Sequence, residues 1–324
     1  MAVGLCTAHA RSESVRRAKS GIIILDRGPE TRALEPFRSK PGAADRYAGA
    51  VNAYKSELGD SVRVYCMVVP TSAEFYCPDT ARAWTSGQKE EIARIYSALR
   101  GVEPVDAYGV LSEHSSEPVY SRTDHHWSPL GAYYAAQRFA EKAGAGFRDL
   151  SHYRREVVRG YVGSMYKFSG DAAVKTAPEQ FAYYVPQGVD YSTTYVGHTK
   201  AKGAKAYTAT EPFAGSFFIA HKDGSGSAYC TFMGGDTRTA VVKTGAGTGR
   251  KLMVIKDSYG NALPGYLFYA FDEIHVVDFR YFTGNPAGRI RREGITDLLF
   301  ANNLQHAYMA STAEAYREML GRKE

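Results

Sequence analysis

The runs VRVYCMVVP (62–70), KLMVIK (251–256) and EIHVVDF (273–279) constrain the fold of this 324-residue chain more than any other feature. Apolar residues fall on odd and even positions alike. A strand with one face in water would alternate, so these runs predict a sheet covered on both faces. Helical spacing lies between them. Tyr47, Val51, Tyr54 and Leu58 share one face of a helix over 42–58, which stops at Gly59. Ile92, Ile95 and Leu99 do the same over 87–100, with Gly101 just after. Further strands are expected at GIIIL (21–25) and PVDAYGVL (104–111), and helices near 294–303 and 311–321. Strand alternating with helix predicts an α/β class fold, a parallel sheet with helices on both faces.

From about 150 to 246 the chain becomes rich in Gly, Thr and Tyr, and SFFIAH, AYCTFM and RTAVVKT read as strands of a β-rich insertion. The expected organisation is an N-terminal remnant of a secretory signal or linker over 1–20, then one α/β domain over 21–324 that carries the insertion. Ala8-His9-Ala10 has the A-x-A spacing that closes secretory signals, but no charged segment precedes it and the apolar stretch is short. A truncated signal and chance both account for it. No apolar run is long enough to span a membrane. The formal charge of +6 is spread along the chain, and basic clusters such as RRE at 154–156 are short, so no nucleic-acid partner is implied. Cys6, Cys66, Cys77 and Cys230 form no C-x-x-C pair, which removes the usual zinc and thioredoxin signatures. KDGSGSA (222–228) reads as a turn with no helix behind it, and no dinucleotide fingerprint occurs. No cofactor and no resident metal are expected.

Two segments carry chemistry. The first is Asp124-His125-His126-Trp127, followed by Ser128 as an N-cap, Pro129 at the first helical position and Gly144 as the helix stop. Residues two apart on an extended segment face the same way, which lets Asp124 reach the His126 imidazole. Three readings stay open at this point: a metal site, the acid–base arm of a triad, or a network that only orders the helix entry. The metal reading lacks an H-x-x-x-H or cysteine set. The second segment is VIKDSYG, a buried strand ending in Ser258 and a tight turn, with a helix expected over 261–271 that carries Pro264 in its first turn. That is the layout of a nucleophile elbow, without its G-x-S-x-G pattern. The Ser258 N–H would open the turn as an oxyanion donor. The alternative is a turn serine that satisfies backbone groups.

SRTDHHWSPLGAYYAA (121–136), MVVPTSAEFY (67–76), GSMYKFSGD (163–171), KDSYGNALPGYL (256–267) and VVDFRYF (276–282) resemble the DHHW protein family. That family is similar to the alginate O-acetyltransferases of the AlgJ/AlgX type, which have an SGNH-hydrolase-like fold. The resemblance implies Asp124 as the acid, His126 as the base and Ser258 as the nucleophile, in the reverse of the usual SGNH chain order. His125, Arg280 and Tyr281 are then candidates for oxyanion or substrate contacts.

The activity implied is acyl-ester chemistry on carbohydrate, with O-acetyl transfer to an extracytoplasmic polysaccharide first. A carbohydrate acetyl-esterase on the same triad is the near alternative. A non-catalytic glycan-binding or assembly protein on the same fold is the distant one. Implied partners are a carbohydrate polymer and an acyl donor, an acyl-carrying membrane protein among the candidates. The implied location is the periplasm or cell envelope.

Overall fold

The computed structural model describes residues 13–204 and 207–322. Cys6 and Ala8-His9-Ala10 lie outside these residues. At the centre is an eight-stranded sheet: β1 (Arg63–Val69), β2 (Glu103–Val105), β3 (Tyr191–Val196), β4 (Phe213–Gly215), β5 (Thr239–Thr244), β6 (Lys251–Lys256), β7 (Glu273–Asp278) and β8 (Asp297–Asn303). Their order is β4-β3-β5-β7-β6-β8-β1-β2. The five strands from β7 to β2 are parallel. β4, β3 and β5 add antiparallel to the β7 edge, so the sheet is mixed rather than wholly parallel. All three antiparallel strands come from the Gly-, Thr- and Tyr-rich middle of the chain. The rest of that stretch includes a separate hairpin, Tyr153–Tyr161 with Glu179–Pro186.

The apolar runs fill two cores because alternate residues of one strand point to opposite faces. Val64, Cys66 and Val68 of β1 pack with α1 (Ala43–Leu58), α2 (Lys89–Ser97) and the C-terminal helix. Tyr65, Met67 and Val69 pack on the other side, with α3 (Ala107–Glu113) and α4 (Pro129–Ala143). That C-terminal helix is α6 (Ala310–Leu320), and α5 (Pro286–Glu293) joins the same layer.

Several local expectations change. The helix expected near 294–303 is instead β8, buried at every residue from Asp297 to Asn303. A short apolar run buried on both faces has no period that separates strand from helix. The helix lies just before it as α5, capped by Asn285 and closed by Gly294 at φ 67°. The strand expected over 104–111 ends at Val105, where Asp106 caps α3 by accepting the Gly109 N–H at 2.8 Å. GIIIL contributes to a separate three-stranded antiparallel sheet with Ser14–Arg17 and Arg32–Leu34. SFFIAH and AYCTFM form no strands and meet only at a Phe218–Phe232 bridge, and Ala228–Thr231 is a 3-10 turn.

One electrostatic feature sits at the β6–β7 junction. Lys256 and Asp278, paired in register, are both fully buried, and Lys256 Nζ lies 2.7 Å from Asp278 Oδ2. Arg280 adds two bonds to the same carboxylate, at 2.8 and 2.6 Å. Removing one member of such a set leaves a buried charge without its partner. Asp278→Ala is expected to destabilise the protein by about 3–5 kcal/mol, read by urea unfolding. A loss below about 1 kcal/mol would mean that water reaches Lys256.

Candidate active site

The segment 122–128 is fixed from outside before its side chains do anything. The Glu179 carboxylate accepts the N–H groups of Arg122 and Thr123, the latter at 2.7 Å, and the Thr123 hydroxyl at 2.6 Å. Trp127 is fully buried and donates its indole N–H to the Tyr259 carbonyl at 2.9 Å. Ser128 caps α4, with Pro129 behind it, and Gly144 closes the helix at φ 58°. The tryptophan thus ties this segment to the turn that carries Ser258.

That turn follows β6 directly. Asp257 is buried and caps it, accepting the Tyr259 N–H at 2.9 Å through Oδ1. Its Oδ2 takes the Asn303 N–H at 2.8 Å, with His306 Nδ1 at 3.2 Å. The helix expected over 261–271 is absent. Two 3-10 turns, Ser258–Ala262 and Pro264–Tyr266, take its place. Gly260 permits the tight first turn, because a Cβ there would lie 2.5 Å from the Lys256 Cβ.

The two segments meet at the C-terminal edge of the sheet, where ligands bind in open α/β folds. Ser258 Oγ lies 2.8 Å from His126 Nε2, and His126 Nδ1 lies 2.5 Å from Asp124 Oδ1. The same Asp124 oxygen accepts the His126 backbone N–H at 3.0 Å. Asp124 therefore reaches His126 through a tight turn rather than an extended strand. Its second oxygen accepts the Ser164 N–H at 2.9 Å. Exposures of 4, 7 and 9% for Asp124, His126 and Ser258 place the relay out of bulk water. Burial alone would raise the Asp124 carboxyl. The His126 imidazole, its hydrogen bond, His125 and the Ser164 N–H outweigh this and hold it well below the usual carboxylate range.

His125 is placed beside the relay, its ring 3.7 Å from that of His126, and its Nδ1 lies 2.6 Å from Ser164 Oγ. Burial and the neighbouring His126 lower its pKa to about 3, so it is a neutral imidazole at physiological pH. Arg280 is engaged by Asp278 and by Asp236, at 3.0 Å from the latter. Tyr281 stacks on His198 at 3.7 Å. Neither Arg280 nor Tyr281 hydrogen-bonds to Ser258, His126 or Asp124. Donor atoms of Asp124, His125 and His126 lie within 4.8 Å of one another, a spacing that suits a metal ion. Both nitrogens of His126 are already engaged, however, and its 2.5 Å approach to Asp124 leaves no space for a cation between them.

Sequence reasoning missed Tyr229. Its ring stacks on His126 at 3.8 Å and 6°, and its hydroxyl lies 2.9 Å from the carbonyls of both Ser258 and Tyr259. Nothing local marks it among 24 tyrosines. It also missed Asp257 as the anchor of the turn.

A family model described as "DHHW protein" matches residues 32–277. The chain belongs to the DHHW family. A DHHW family protein from Eubacterium siraeum is 36% identical over 92% of this chain and 95% of its own, with a TM-score of 0.83. Bacillus cereus PatB1, in a structure with a sulfonyl adduct, is 17% identical over 91% of this chain and 98% of its own, with a TM-score of 0.67. The O-acetyltransferase domain of Pseudomonas putida AlgJ is 12% identical over 96% of this chain and 100% of its own, with a TM-score of 0.48. No curated protein matches the chain. The DHHW chain described here shares the SGNH-like α/β fold. Among its described residues no helix is long and apolar enough to cross a membrane.

Two measurements probe this arrangement. A Cβ at Gly163 would lie 2.5 Å from both Cβ and Oδ2 of Asp124. Gly163→Ala is therefore expected to displace Asp124 and to slow labelling of Ser258 by a serine-directed phosphonate at least tenfold, in a protein that still folds. The second concerns His306, whose pKa is raised from 6.5 because Asp257 outweighs the effect of burial. A raised folded value means its contribution is complete below the unfolded value and fades as pH rises through the folded one. The gap in melting temperature between wild type and His306→Gln is expected to be wider at pH 6 than at pH 8. An equal gap at both would contradict the ion pair.

Proposed function

We propose that this DHHW protein is a serine acyltransferase acting on carbohydrate, moving an acetyl group from an ester donor to a hydroxyl of an extracytoplasmic polysaccharide. The observation that carries the reading is the unbroken Ser258–His126–Asp124 relay, with steps of 2.8 and 2.5 Å. A serine hydroxyl is a weak nucleophile near neutral pH and needs a base held by an acid. His126 Nε2 takes the Ser258 proton as Oγ attacks the acetyl carbonyl. The tetrahedral intermediate collapses, and the donor's alkoxide leaves with the proton from His126. The acetyl group now sits on Ser258. His126 then deprotonates the acceptor hydroxyl, which attacks the acyl-enzyme, and Ser258 recovers its proton. Asp124 holds the imidazole in the required tautomer and stabilises the imidazolium. The Ser258 N–H opens the 3-10 turn without an intrahelical partner and is a donor for the oxyanion.

The acetyl-esterase reading shares every step except the acceptor, which would be water. The low exposure of Ser258 and His126 and the Tyr229 ring stacked on the base support transfer over hydrolysis, because both limit water at the acyl-enzyme. An acyl donor carried by a membrane protein and an envelope location belong to the same proposal.

The test is covalent labelling with a fluorophosphonate or a sulfonyl fluoride, alongside turnover of p-nitrophenyl acetate. Wild type is expected to label at Ser258, while Ser258→Ala does not. His126→Ala is expected to lose at least a hundredfold in acetyl-ester turnover. A well-folded wild type that neither labels nor turns over the ester would overturn the enzyme reading in favour of a glycan-binding role.

A further inference from the structure

Phe168 is a large apolar side chain left 40% exposed beside the candidate site. It belongs to the short helix Ser164–Ser169, whose Met165 and Tyr166 pack with Ile22, Ile24 and Val174. That helix is docked on the segment carrying Asp124 and His126. The Gly163 N–H donates to Thr123 Oγ1 at 3.1 Å, the Ser164 N–H to Asp124 Oδ2 at 2.9 Å, and the Met165 N–H to the Thr123 carbonyl at 3.0 Å. The Phe168 backbone is thus fixed to the site while its ring stays open to solvent. Among the described residues the one aromatic side chain beside that ring is His125, with centroids 5.4 Å apart at 45°.

His125 stands between Phe168 and His126, its ring 3.7 Å from the latter. Its Nδ1 is engaged by Ser164 Oγ, and its carbonyl accepts the Tyr259 hydroxyl. Among the described residues no hydrogen bond reaches its Nε2, and the side chain is 21% exposed. A neutral imidazole carries one donor and one acceptor nitrogen, so Nε2 has a hydrogen bond to offer in either tautomer. An open apolar ring and an uncommitted polar atom therefore lie side by side. A pyranose presents the matching pair, a patch of C–H groups and a rim of hydroxyls. Laying the C–H patch on the Phe168 ring takes apolar surface of both out of water. With an imidazole between Phe168 and His126, the sugar that stacks there is the unit next to the one that reacts.

We infer that Phe168 and His125 form a subsite for a pyranose chain, in which Phe168 stacks on the unit beside the reacting sugar and His125 Nε2 hydrogen-bonds one of its hydroxyls. The inference rests on the acyltransferase reading and deepens it: the acceptor is an oligomer or polymer rather than a single sugar. Contacts made to the neighbouring unit hold the reacting hydroxyl at the Ser258 acyl group, so binding remote from the chemistry is spent on orientation. The subsite distinguishes acceptors by length, and it acts after Ser258 has been acylated.

The experiment compares acceptors of different length within one protein. Acetylation of Ser258 by vinyl acetate is read first, by intact mass. Acetyl transfer is then measured to cellopentaose, chitopentaose and pentagalacturonate, each against the methyl glycoside of its own sugar. Wild type is expected to favour the pentamer of at least one pair by about tenfold in kcat/KM. Phe168→Ala and Phe168→Leu are expected to erase that advantage, and Phe168→Tyr, which keeps the flat ring, to retain it. A damaged fold or slower acylation would lower both members of a pair alike, so their ratio reads the subsite alone. No transfer to any pentamer, no advantage of pentamer over glycoside in wild type, or an advantage that survives in Phe168→Ala would each overturn this inference and leave the serine nucleophile standing. Absence of acetyl-Ser258 in wild type would instead overturn the reading on which it rests.

Discussion

The buried carboxylate of Asp257 is the constraint on which the working end of the molecule depends. It cannot reach water, so its oxygens must be satisfied by protein. It takes the Tyr259 N–H from its own turn and the Asn303 N–H from the end of β8, with His306 at the rim. Asn302 joins the same oxygen at 3.3 Å, and its own amide oxygen accepts the hydroxyls of Tyr47 in α1 and Tyr316 in α6, each at 2.6 Å. One acid thus couples the Ser258 turn, two adjacent strands and two helices of the outer layer. The same contacts hold its pKa below the ordinary range despite full burial, so it stays charged while doing so.

Around this anchor the site is assembled from segments far apart in the chain. Asp124 and His126 arrive on a short turn locked by Glu179 and Trp127, and Ser258 arrives 132 residues after His126. Tyr229 covers His126 from a third segment, and Gly163 leaves the space in which Asp124 sits. These contacts hold the His126 imidazole against the Ser258 hydroxyl. The Lys256–Asp278–Arg280 cluster lies directly beneath, and its charges are spent on one another. Arg280 is therefore a support for the strand ends in this state rather than a free cation in the site.

Much of this was legible in the sequence, and for identifiable reasons. The apolar runs at 62–70 and 251–256 carry the both-faces burial of β1 and β6. Ser128-Pro129 and Gly144 mark the ends of α4, because capping is local chemistry. The same reading failed at 297–303, where a buried central strand offers no period, and at 261–271, where glycines and Pro264 support successive 3-10 turns instead of a helix. On an extended chain His125 would point away from His126. The turn made by Asp124 instead brings the two rings together.

By itself, the sequence determined the two-faced α/β core and the start and stop of the helix behind the histidines. Each follows from patterns confined to a few neighbouring residues. Tertiary structure alone decided that three strands add antiparallel to a five-stranded parallel core, that Tyr229 stacks on His126, and that Asp257 is the anchor. Those outcomes depend on which distant segments share one sheet edge, and on which buried polar groups find partners there. Both are properties of the whole packed chain rather than of any local stretch.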